Sequence, residues 1–179
     1  MRETLGNENQ HRELNGIEGE IYLSSWNEFE NKKSDFLFEY SIGGDSTLET
    51  EEIETYQHKA NEYLIKNEGE IKNEILKALV IKYPEIQDIY DYEPDEKKEL
   101  MPDVINPNDF KKLIELIRIH FMNVKKDDIG YIGFEFDCKW DIEHGLGAMT
   151  HKNKVIKIGG ADTSFMEWIA EEDLSNKEN

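Results

Sequence analysis

Cysteine is nearly absent from this chain: Cys138 stands alone in 179 residues. One thiol excludes an intrachain disulfide framework and any cysteine-rich zinc site. Positive charge is also scarce. Lys and Arg number 21 against 40 Asp and Glu, a net charge of −19. Binding nucleic acid or an anionic lipid surface relies on Lys and Arg neutralising phosphates, so both partner classes are disfavoured. Long apolar runs are missing as well. The longest aliphatic stretch, Ala78 to Ile81, is far short of the roughly 20 residues a membrane helix needs. The N-terminus opens Met1-Arg2-Glu3 and stays polar, without the apolar core of a secretory signal, so the expected compartment is the cytosol. What the chain does have is aromatic content, 11% of its residues, which argues against wholesale disorder. Its length suits one domain with an ordinary core.

Residues 1–15 read as a polar, disordered lead-in, 16–172 as one domain and 173–179 as a fraying acidic tail. Ile17 to Leu23 reads as a strand. So does Phe36 to Ile42, where Phe36, Phe38, Tyr40 and Ile42 share a face at period two. From about Glu49 the period becomes helical, with Ile53, Tyr56, Ala60, Tyr63 and Leu64 on one face. Asn67-Glu68-Gly69 is a break, and Ile71, Ile75, Leu76, Leu79 and Val80 form a second stripe. Pro84 ends that helix or restarts a short one. Asp91 to Lys98 reads as an acidic surface loop. Asn106-Pro107 starts a helix that buries Phe110, Leu113, Ile114 and Ile117. Ile119 to Val124 is a strand. The clearest strand follows, with Ile132, Phe134, Phe136, Cys138 and Trp140 alternating against Tyr131, Gly133, Glu135, Asp137 and Lys139. Leu146 to Thr150 and Lys154 to Ile158 form a hairpin whose turn holds His151. Ser164 and Glu167 suggest a capping box for a last helix with Phe165, Trp168 and Ile169 inward. The class is α+β: an antiparallel sheet from N-terminal strands and a C-terminal meander, packed on a central group of helices.

Chemistry-bearing residues gather in one stretch: Glu135, Asp137, Asp141, Glu143 and His144, with Asp162 further on. Glu135 and Asp137 lie two apart on a strand, so their carboxylates leave one face about 7 Å apart. Such a pair suits a hard cation or a raised-pKa acid, although a full cation site needs about six oxygens and a solvated strand face is the simpler account. There is no His-Glu-x-x-His helix, calcium loop or phosphate loop. Cys138 sits on the apolar face and reads as a buried, inert thiol. His144 suits a turn hydrogen bond, and His151 a solvent-exposed turn. His11, His58 and His120 form no sequence pattern with Cys138 or a serine. No catalytic signature emerges.

The string Cys138-Lys139-Trp140-Asp141-Ile142-Glu143-His144-Gly145-Leu146-Gly147, with Gly159-Gly160-Ala161-Asp162 after it, resembles an uncharacterised bacterial domain family with a Cys-x-Trp-Asp-x-Glu-His-Gly-x-Gly core. Some proteins of that build are suspected immunity partners in bacterial toxin systems. The resemblance implies a role in neutralising a partner and assigns no residue to it. Together with the charge, it leads to the expectation of an acidic cytosolic module that binds a basic protein, with no cofactor. Tyr90, Asp91, Tyr92, Glu93 and Asp95 are the candidate contacts, an aromatic pair set among acids. The alternative is a metal-dependent or small-molecule module, a hydrolase among the options, built on Glu135, Asp137, Asp141 and His144. It would use a divalent cation.

Overall fold

Alternating apolar residues build the sheet, and one long helical stripe covers it. The computed structural model describes residues 11–176. Its six strands are β1 (Glu18–Ile21), β2 (Phe38–Ile42), β3 (Ile114–Lys126), β4 (Ile129–Cys138), β5 (Leu146–His151) and β6 (Lys154–Gly159), lying side by side in chain order. The pairings are antiparallel except β2–β3, which is parallel. A parallel pair requires a crossover. Helix α2 (Thr55–Tyr90), the short helix α3 (Pro94–Leu100) and a 3-10 turn (Pro107–Lys112) supply it. The class is therefore α+β, with one parallel pair inside the otherwise antiparallel sheet.

One face of the sheet carries Phe38, Tyr40, Ile119, Phe121, Phe134, Phe136 and Ala148. They pack on Ala60, Leu64, Ile71, Ile75 and Leu79 of α2 and on Trp26 of α1 (Ser24–Glu30). The two stripes read from the sequence thus belong to one helix. The expected break at Asn67 is a kink, with φ −126° at that residue. Pro84 sits inside α2 and does not end it. The opposite face is covered only in part. Helix α4 (Glu167–Ser175) rests on Met122, Val124, Tyr131 and Met149 through Ile169 and Ala170. A 3-10 turn, Ala161–Ser164, lies beside it in a trench of glycines. An added Cβ at Gly147 would stand 2.5 Å from the Gly160 carbonyl oxygen, one at Gly159 would stand 2.5 Å from Thr163 Oγ1, and one at Gly133 would overlap the Ser164 carbonyl.

Several local expectations change. Helix α1 has no counterpart in the strand reading around it. The supposed 91–98 loop contains α3, led by Pro94 at its first turn. The Asn106 cap is present, accepting from the Asn108 amide, yet the helix closes as a 3-10 turn. β3 begins at Ile114 instead, because the β-branched run of Ile114, Ile117 and Ile119 suits a pleated surface. Ser164 bonds the Ala161 carbonyl rather than capping α4, whose first amide is met by Asp45 Oδ1 at 2.7 Å. Trp168 points outward at 47% exposure, beneath Lys157. His151 is buried at 5%, with Nε2 on the carbonyls of Lys126 and Ile129. Burial there holds its pKa below the usual value. His11 to Asn15, read as part of the lead-in, are held against the domain. Leu14 is buried and Arg12 pairs with Glu68 at 3.2 Å. Asp173, read as the start of the tail, is tied to Lys126 and Tyr131. Residues 1–10 and 177–179 lie outside the described residues. No described helix is long and apolar enough to cross a membrane.

Candidate functional site

Strand alternation fixes what the uncovered half of the second sheet face carries. Every other residue of β1 to β4 points away from the α2 core, and these positions hold Glu18, Glu20, Glu39, Ser41, Glu115, Arg118, His120, Glu135 and Asp137. Six of the nine are carboxylates, against one Arg and one His. Glu18, Glu20, Glu39, Glu115 and Asp137 are exposed, and Glu135 is half-buried. Glu135 and Asp137 do share a face, as the sequence indicates. The counter-charges come from neighbouring strands and from the end of α1. Arg118 pairs with Glu39 at 2.6 Å, Lys32 pairs with Glu115, and Glu135 reaches His120.

The register explains that last contact. Ser41 lies beside His120, and His120 lies two residues along β3 from Arg118, the residue paired with Glu135, so the three side chains stand on one face of neighbouring strands. Glu135 Oε2 is 2.7 Å from His120 Nε2, and Ser41 Oγ is 2.8 Å from His120 Nδ1. A carboxylate has no proton to give, so Nε2–H donates to Glu135 and Nδ1 accepts from the Ser41 hydroxyl. His120 is 6% exposed, with Phe165 edge-on to its ring at 5.5 Å. Sequence reasoning missed Ser41 and His120. The signal was faint: each is a polar residue on the non-core side of an apolar alternation.

The remaining candidates collect at the far end of β4, in a different environment. Trp140 is buried on the Tyr83 ring at 5.5 Å, and its carbonyl accepts from Tyr92 Oη at 2.5 Å. Asp141 accepts from Tyr90 Oη at 2.5 Å, and from the His144 amide and Nδ1 at 3.0 Å each. Burial opposes ionisation of Asp141, but these donors outweigh it and hold its carboxyl below the usual range. The same contact, after burial, pushes the Tyr90 phenol up. Gly145 turns the chain back at φ +61°, against the Phe136 carbonyl. Tyr90 and Tyr92 are stacked at 5.9 Å with their hydroxyls engaged in the fold. Asp91, Glu93 and Asp95 are exposed around them, as are Glu143, His144 and Asp162. A groove of about 290 Å³ opens beside this corner, between Ile86, Ile89 and Tyr90 of α2 and Trp140, Leu146 and Ile158. The corner is a clasp between the motif loop and the end of α2. Replacing Tyr90 by phenylalanine removes one donor to a partly buried carboxylate. It should lower unfolding free energy by about 1 kcal/mol in urea titration, without changing the spectrum of the folded state.

The proposed four-residue metal cluster does not assemble. Glu135 belongs with His120 on the sheet face, and Asp141 with His144 in the loop. Among the described residues no three His, Cys, Asp or Glu side chains come together as a metal ligand set. Cys138 is buried, and burial pushes its thiol up to about 12, the inert state expected of it. A family model described as a domain of unknown function (DUF6985) matches residues 17–166. No curated protein and no solved structure matches the chain.

Proposed function

Since the chain belongs to the DUF6985 family of domains of unknown function, we propose from its own surface that it is a binding module for a basic protein, of the bacterial immunity type that its sequence motif resembles. The observation that carries this reading is the open sheet face, where Glu18, Glu20, Glu39, Glu115, Glu135 and Asp137 stand in cross-strand rows. Like charges placed opposite one another destabilise a sheet. Glu20 directly opposite Glu39, and Glu115 opposite Asp137, are such pairs. A face that tolerates them gains when Lys and Arg of a partner arrive, and the net charge of −19 steers those groups inward.

On this reading the recognition surface is the sheet face, and Tyr90, Asp91, Tyr92, Glu93 and Asp95 form a second acidic patch, which serves as the comparison. The test captures partners from the native lysate at about 50 and about 500 mM salt, a range over which exposed charge contacts are screened. A single basic partner, toxic when expressed alone and released at high salt, is expected. The triple variant Glu18→Lys, Glu20→Lys, Asp137→Lys should lose that partner at low salt by at least tenfold in affinity. The variant Glu93→Lys, Asp95→Lys should keep it. Equal retention by the first variant overturns the sheet-face assignment. A captured partner that is acidic, or unmoved by salt, overturns the reading as a whole.

A further inference from the structure

The Ser41, His120 and Glu135 side chains form a continuous proton relay across three neighbouring strands, and from that geometry we infer that Ser41 is an acyl-accepting nucleophile. The function proposed above does not use this activity. Three observations converge. First, the polarity of the chain is that of a nucleophile and its base. Glu135 fixes the proton on His120 Nε2, which leaves Nδ1 unprotonated and 2.8 Å from the Ser41 hydroxyl. A base oriented by a third group and within hydrogen-bond reach of a hydroxyl is the general signature of an activated serine. Second, the relay is held rigidly. All three residues sit inside regular strands in fixed register, His120 is buried at 6%, and Phe165 closes one side of its ring. Third, the serine end faces the surface. Ser41 is half-buried beside the open sheet face, with exposed Glu18 opposite it on β1 and Glu39 two residues away.

Those surroundings indicate the substrate class. Carboxylates flank the hydroxyl on two strands, so an ester whose acyl or alcohol portion is cationic is favoured over a neutral or anionic one. Arg118, paired with Glu39 two residues along β3 from His120, is the fixed positive charge nearest the relay, and Lys32 beside Glu115 is a second one on this face. In the reaction, Ser41 Oγ forms a bond to the ester carbonyl carbon while its proton passes to His120 Nδ1. The carbonyl–oxygen bond to the alcohol then breaks, and the same proton leaves with the alcohol. Water enters along the same route, gives a proton to Nδ1, and releases the acid with Ser41 restored. Glu135 accepts from Nε2–H throughout, and is a positioning residue.

The experiment uses the full chain and two probes. A fluorophosphonate label is read by peptide mass spectrometry, and hydrolysis of acetylcholine is compared with that of its uncharged isostere, 3,3-dimethylbutyl acetate. Labelling is expected on Ser41 alone among the serines and should disappear in Ser41→Ala. It should fall at least a hundredfold in rate in His120→Gln. Glu135→Gln should slow it about tenfold and move the acid limb of the pH–rate profile, which a purely structural role would not do. The cationic ester should be turned over faster than the neutral one. Folding of each variant is checked by its melting curve. The conservative Glu135→Gln variant keeps the test usable if His120→Gln fails to fold. No label on Ser41, or labelling at the wild-type rate in a folded His120 or Glu135 variant, overturns the inference.

Discussion

Gly133→Ala is expected to unseat the C-terminal segment and to lower stability by about 3 kcal/mol or more, at the upper end of what overpacking costs. The new Cβ would overlap the carbonyl of Ser164, with the Ser164 carbonyl carbon and Cα also close. Backbone on both sides leaves no side chain to swing away. β4 is paired with β3 and β5 at this point, Gly133 lying opposite His120 and Met149, so the strand cannot yield. The 3-10 turn must lift, and α4 with it. Ile169 and Ala170 then leave the small cluster formed with Met122, Val124, Tyr131 and Met149. The consequence is regional as well as global. Amide exchange should accelerate from residue 161 through the end of α4 well before β3 and β4 lose protection. A urea midpoint unchanged within error, with those amides still protected, would show that the trench accommodates a side chain after all.

The second large effect concerns Glu30, and its sign depends on pH. This carboxyl closes α1 by accepting from the Leu116 amide, at the point where β3 bulges between Leu116 and Arg118. Its second oxygen, Oε2, is buried without a partner. Burial raises its pKa from 4.5 to about 7, with the Leu116 bond and Lys32 pulling the other way and Glu115 adding to the rise. Below 4.5 the group is protonated in both the folded and unfolded chains, and its contribution is fully present. Between 4.5 and 7 the unfolded chain ionises while the folded one holds its proton, so stability falls as pH rises, and above 7 the contribution is gone. A dry site would lose roughly 3 kcal/mol over that window, and the solvent that reaches Glu30 reduces this to about 2 kcal/mol. Glu30→Gln mimics the protonated acid and retains an oxygen for Leu116. It should match the wild type near pH 4.5 and exceed it by about 2 kcal/mol at pH 8, as read from paired urea titrations. A constant difference across that range would remove Glu30 as the cause.

The contrast between what was legible in the sequence and what was not follows from distance along the chain. The alternation in β4 and the stripes of α2 repeat within a few residues, and the structure places Ile132, Phe134, Phe136, Ile71, Ile75 and Leu79 in the core accordingly. Helix α1 spans only seven residues, Ser24–Glu30, too short for a periodic stripe to stand out from its flanks. Asp173 reads as the start of an acidic tail, yet it is held by Lys126 and Tyr131 of the sheet, a tertiary pairing no local rule contains. The same holds for the relay. Ser41 and His120 are 79 residues apart and are neighbours only because β2 and β3 pair in parallel at one register. Glu135 was singled out, but with Asp137 and His144, its companions along the chain. Its companion in space comes from the next strand. The turn hydrogen bond of His144 is legible in the sequence, whereas the clasp of Trp140 and Asp141 to Tyr92 and Tyr90 joins two candidate groups far apart along the chain.

The parallel pairing of β2 with β3 also sets an order of events for the newly made chain. Strands β3 and β4 are joined by a tight turn, as are β5 and β6, so these pairs find their neighbours by local search, on the microsecond scale typical of hairpins. Ile42 meets Phe121 only after the whole of α2 has been made and has closed a long loop, an event whose entropic cost is fixed before any contact rewards it. The N-terminal strands are therefore expected to join last. Until they do, the inner edge of β3 is bare, and Ser41 is not yet beside His120.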